Sequence, residues 1–90
     1  MAVNDKHADA SPPIGFDWSA WLLEVGEGMV GSSWSVMPSG LTLTNSTMDA
    51  STGQTRVTIS GGTPGVVYRV KNLVHTPSHS DAAVRLIRVI

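Results

Sequence analysis

The 90-residue chain contains no cysteine, which excludes disulfide staples and thiolate metal sites. Small secreted domains commonly lean on such staples. Their absence fits a protein made in a reducing cytosol and stabilised by assembly with other subunits. Charged residues are few, at 14%, and no window approaches the ~20 consecutive apolar residues of a membrane span. The first fifteen residues, MAVNDKHADASPPIG, hold no apolar run and are not expected to act as a signal peptide. Phe and Tyr occur once each, so the aromatic content rests on Trp18, Trp21 and Trp34.

The groups that support catalysis are equally sparse. Gly61-Gly62-Thr63-Pro64-Gly65 lacks a following Gly-Lys-Ser/Thr, so it is no phosphate loop. Gly31-Ser32-Ser33-Trp34-Ser35 lacks the second glycine and the following helix of a nucleophile elbow. His7 lies near the N-terminus, while His75 and His79 share one segment. Four-residue spacing suits zinc on a helix, but Pro77 lies between them and breaks any helix there. A loop that gathered His75, His79 and Asp81 would be needed, and solvated loop histidines are the simpler reading. No catalytic residue, metal ligand or cofactor site is therefore expected. The cations alternate with Val and Leu rather than with stacking aromatics, which gives no support for a nucleic-acid partner.

What the chain does have is alternation. From Thr55 to Thr76 two segments flank the turn cluster at 61–65. Val57 and Ile59 alternate with Arg56, Thr58 and Ser60. Val66, Tyr68, Val70, Asn72 and Val74 then share one face, with Val67, Arg69, Lys71 and Leu73 on the other. Period-2 alternation in β-branched and aromatic residues marks half-buried strands. The turn is too long for a two-residue hairpin, so the two strands are free to lie in different sheets.

Residues 14–23, IGFDWSAWLL, read as a further strand. Trp18, Trp21 and Leu22 also match helical spacing, but the short span between Gly15 and Gly26 and the strand-like neighbours favour a strand. Met29 to Met37 follows, with Trp34 as a core candidate. Leu41 to Thr44 begins another strand that gives way to the polar run Asn45-Ser46-Thr47. Ala82 to Ile90 forms the last. About six or seven strands with turn signals between them predict an all-β sandwich or small barrel. Residues 1–13, ending in Pro12-Pro13, read as an arm that is flexible alone or ordered on a partner; the domain proper is set at 14–90. The core candidates are Trp34, Ile59, Tyr68 and Val70, and the protein-contact candidates are Pro12, Pro13, Phe16, Trp18 and Trp21.

Charge is divided along the chain. Residues 1–50 carry Lys6 against six carboxylates, and residues 51–90 carry Arg56, Arg69, Lys71, Arg85 and Arg88 against Asp81. Pairing between neighbouring strands would neutralise this within one molecule; an acidic face meeting a neighbour's basic face would do so between molecules.

Three groups of residues carry a resemblance. They are Asp17 to Leu22 with Ser32 to Val36 and Leu41-Thr42; Thr58 to Gly65 with Tyr68 to Asn72; and Arg85 to Val89. Together, over residues 14–90, the chain resembles short virion proteins of tailed phages, of the fibre–tail adaptor type. It departs from their pattern at His75-Thr76-Pro77-Ser78-His79, where the family has Gly and more charge. The resemblance implies an immunoglobulin-like β-sandwich without a disulfide, with Trp34 on a central strand and Tyr68 as a corner tyrosine. It also implies a non-enzymatic virion protein, made in the host bacterial cytoplasm. Such a protein would join a tail fibre to the tail or baseplate by contacts with other virion proteins in an oligomeric assembly, with no membrane partner. A head decoration (cement) protein on the capsid surface is the alternative in the same class. A carbohydrate-binding or small hydrolytic accessory domain is the alternative outside it, and it would need a row of exposed aromatics.

Overall fold

A computed structural model describes residues 3–90. Seven strands and one short helix follow one another: β1 (Val3–Lys6), β2 (Pro13–Asp17), α1 (Ser19–Val25), β3 (Gly31–Met37), β4 (Leu41–Asp49), β5 (Gln54–Gly61), β6 (Val67–His75) and β7 (Ser80–Val89). They form two sheets, ordered β1-β7-β6-β3 and β2-β5-β4. The result is an immunoglobulin-like sandwich: the second to seventh strands divide as that fold divides its B-E-D and C-F-G strands. β1 extends the larger sheet by pairing parallel to β7. β5 and β6, which the length of the 61–65 turn leaves free to separate, lie in different sheets.

The alternation read from sequence sets the core. Thr55, Val57 and Ile59 of β5, and Tyr68, Val70, Asn72 and Val74 of β6, are all buried, while Arg56, Val67, Arg69 and Lys71 between them are exposed. Ile14, Leu41, Ile87 and Val89 complete the main cluster, with Trp34 half-buried against it. Tyr68 stands second in β6, and its hydroxyl accepts the Thr63 N–H at 2.9 Å. That bond closes the β5–β6 corner from a position five residues downstream, in the manner of a tyrosine corner.

Three expectations change. The segment 14–23 is a strand only as far as Asp17, and Ser19–Val25 is helical. The period-3.6 spacing of Trp18, Trp21 and Leu22 prevails over the period-2 reading. Asp17 Oδ1 accepts the Ser19 N–H at 2.9 Å at the start, and Gly26 at φ 70° closes the end by donating to Leu22 O. A left-handed glycine is the common helix stop. β4, expected to dissolve after Thr44, runs on to Asp49 across a register shift between Thr44 and Thr47. Asn45 absorbs the bulge at φ 54°, a conformation that asparagine tolerates.

The third change concerns the arm. Within residues 1–13, Met1 and Ala2 lie outside the described residues, but Val3–Lys6 is a strand of the larger sheet. Lys6 is only 3% exposed, and its ammonium donates to the carbonyls of His7, Ala8 and Gly61 at 2.8, 3.3 and 2.8 Å. Three donors meeting three acceptors is the condition under which a lysine can be buried. Ile90 N donates to Lys6 O at 2.8 Å, and Ala8 N to Ile90 O at 3.1 Å. The N-terminal segment is thus bonded to both the last strand and the β5–β6 corner. Pro13 heads β2, and Pro12 O accepts the Ile59 N–H at 3.0 Å. The boundary set at Ile14 therefore gives way to a chain folded from Val3 onward.

Candidate functional site

The aromatic residues singled out from sequence come together, but inside the sandwich. Phe16 stacks on Trp34 with ring centroids 5.8 Å apart, approaches Trp18 at 6.3 Å, and Trp18 meets Trp21 edge-on at 5.6 Å. The Arg85 guanidinium lies 4.8 Å from the Phe16 ring centre, a cation–π distance. Trp18, a contact candidate, is only 7% exposed. The turn into α1 directs its indole into the core, where Nε1 donates to Asn72 Oδ1 at 2.9 Å. Phe16 and Trp21 are half-buried, Pro12 likewise, and Pro13 is exposed. Trp34, a core candidate, packs half-buried against the main cluster, and among the described residues its buried Nε1 has no hydrogen-bond partner.

Asn72 is the polar centre of this assembly and is fully buried. Its Oδ1 accepts from Trp18 Nε1 at 2.9 Å and from the Thr55 hydroxyl at 2.7 Å. Its Nδ2 donates to Ser32 Oγ at 2.9 Å and to Ser33 O at 3.0 Å. All four hydrogen-bonding sites of the amide are filled. The partners come from β3, β5 and the entrance to α1, so one side chain ties the two sheets and the helix together.

A second polar knot joins the α1–β3 loop to the β6–β7 turn. Glu27 Oε1 accepts from the Thr76 hydroxyl at 2.7 Å, from His79 Nδ1 at 2.8 Å and from the Ser78 N–H at 3.2 Å. The contact with His79, then that with Thr76, lowers the Glu27 carboxyl to about 2, since donors to the charged form favour it. The segment considered for zinc thus spends His79 on Glu27 instead. Among the described residues, no three His, Asp or Glu side chains converge as a metal site.

The surface most unlike ordinary solvent-facing sheet is the outer face of β7-β6-β3. Strand register places Met37 and Leu86 on either side of Arg69, Ser35 and Val84 on either side of Lys71, and Arg88 beside Val67. Val84 and Leu86 are half-buried although they face outward, and Met37 is 72% exposed. A shallow depression there is lined by Ser35, Met37, Arg69, Lys71 and Val84. Exposed methionine and partly buried aliphatic residues beside an arginine are the composition of a protein-contact face. Sequence alternation sets Val67, Arg69 and Lys71 opposite the buried face of β6, but in the last strand both faces read as covered, and the apolar stripe is legible only with the cross-strand register.

The fold and this face define a small immunoglobulin-like module whose distinctive surface is suited to binding protein. The chain belongs to the family of the podophage GP4 fiber-tail adaptor protein gp77, whose sequence model matches residues 6–86. The match begins at Lys6, inside the segment that the structure ties into the larger sheet. Its family is one of structural phage tail components, which is not a class of enzyme, and membership places the chain among virion proteins. No curated protein matches it.

Proposed function

We propose that this protein joins a tail fibre to the tail of a podophage by direct protein–protein contacts, as one of several copies arranged by the symmetry of the tail. The observation that carries this reading is the family match over residues 6–86. The architecture supports it: Asn72 ties the core together and Glu27 ties the α1–β3 loop to the β6–β7 turn, while the outer face of the larger sheet offers apolar contact area. Of the residues singled out in sequence, Pro13 remains exposed for such a contact, whereas Trp18 does not. The protein would be made in the host cytoplasm and carried in the virion. The test is genetic. Particles assembled without this protein should have normal heads and tails but lack fibres, and adding purified protein together with fibres should restore them. Particles that carry a full set of fibres in its absence would contradict the proposal.

A further inference from the structure

Two clusters of charge lie beside exposed apolar surface in different parts of the molecule: Glu24 next to Leu23 on α1, and Arg69 with Lys71 next to Met37 and Val84. At one end, α1 packs next to the β4–β5 turn, and Leu22, Leu23 and Gly53 line the cleft between them. Asp17, Glu24 and Asp49 belong to this end, and among the described residues none of the three forms an ion pair, although Arg56 lines one depression with Asp17 and another with Asp49. Leu23, on α1 beside Glu24, is 85% exposed, the highest value among the exposed large apolar residues. The second surface is the outer face of the larger sheet, where Arg69 and Lys71 also lack an ion pair among the described residues and sit with Met37 and Val84.

These two surfaces cannot satisfy each other within one copy. The α1–β3 loop adjoins the end of β6, since Val30 N donates to His75 O at 2.8 Å, and Trp18 and Trp21 pack with Val74 one residue before it. Lys71 and Arg69 lie four and six residues back along that strand, or roughly 13–20 Å at the rise of a β-strand. That separation exceeds the Debye length of about 8 Å at physiological salt. Each surface is therefore left to meet a complementary one on another molecule.

We infer that the complementary molecule is a second copy of this chain. The α1 corner of one copy, led by Leu23 and Glu24, docks on the face formed by Met37, Arg69, Lys71 and Val84 of the next. The leucine covers the exposed apolar stripe while the carboxylates meet the two free cations. Because the contact joins two different surfaces, every copy keeps one of each kind available, and association continues into a ring or a chain rather than stopping at a two-fold dimer. This inference does not depend on which virion component the protein holds.

The test is sedimentation velocity of the full chain over a concentration series. The unmodified protein should form species larger than one chain that dissociate as salt is raised. Arg69→Ser/Lys71→Ser and Leu23→Ser/Glu24→Ser should each be monomeric with an unchanged melting temperature, because all four residues are exposed or partly so on the surface. Mixing the two variants in equal amounts should restore one intact contact and give a dimer that does not grow. Unmodified protein that stays monomeric at every concentration would overturn the inference, even if it bound fibre protein, and the adaptor reading would stand apart from it. Variants that associate as strongly as the unmodified chain, or a mixture that gives no dimer, would also overturn it.

Discussion

Replacing Asn72 by leucine tests the polar centre of the fold most sharply, because volume is nearly kept while all four hydrogen bonds are lost. Trp18 Nε1–H and the Thr55 hydroxyl both reach Asn72 in buried surroundings, at 2.9 and 2.7 Å. Each stranded buried group costs about 1–3 kcal/mol, so the pair alone costs roughly 2–6 kcal/mol. The Ser32 hydroxyl can turn elsewhere, and the Ser33 carbonyl adds to the loss only if water fails to reach it. A domain of this size holds about 5–13 kcal/mol in total, and 1 kcal/mol moves its midpoint by about 4–8 °C. Asn72→Leu should therefore melt at least about 8 °C lower, as followed by tryptophan fluorescence and calorimetry. Asn72→Asp adds a signature in pH. Its carboxylate would face the Ser33 carbonyl without a proton to donate, so burial raises its pKa in the folded state. Stability of that variant should then fall as pH rises from the unfolded value near ~4 toward the folded one. A midpoint for Asn72→Leu equal to that of the unmodified protein would refute the reasoning.

Three further outcomes are expected. Lys6→Met leaves the Gly61 carbonyl without its charged donor and should cost about 1.5–3 kcal/mol in denaturant unfolding; deleting residues 2–6 should lower the melting temperature further, because β7 loses its parallel neighbour. Gly62→Ala places a Cβ 2.7 Å from Val89 Cγ2 at a φ of +96°, and strain plus overpacking should destabilise by about 2–5 kcal/mol in the same assay. Glu27 is lowered from 4.5 to about 2, so its contribution is complete above the unfolded value and is lost as pH falls through the folded one. An acid titration of the melting temperature should fall across that window, and Glu27→Gln should flatten the fall.

Much of the fold was legible because the central strands obey a strict two-residue period. Val57 and Ile59, and Tyr68 to Val74 at every second residue, stand out as one face each, and the resemblance to the phage proteins points to Tyr68 as the corner tyrosine. Beyond Asp17 the strand reading fails because Trp18 and Leu22 share a face at either period while Trp21 joins them only at the helical one, and the deciding signals are one carboxylate before the helix and one glycine after it. Lys6 escaped notice because a lysine in a polar segment reads as solvated; only the three carbonyls brought to it by the fold make its burial possible. The alternation put Asn72 on the inward face, but its partners come from three other segments, and no local pattern encodes their meeting. The same holds for Glu27 and His79, which are separated by 52 residues. The contact face was hidden for a related reason: each strand contributes one or two of its residues, and cross-strand register alone assembles them.

The most direct test of the adaptor role is an electron cryomicroscopy map of the intact phage particle. The account predicts density for a sandwich of three and four strands at the junction between the tail and the base of each fibre, in copies that follow the tail's symmetry. The same sandwich repeated over the capsid lattice, and absent from the fibre junction, would contradict it.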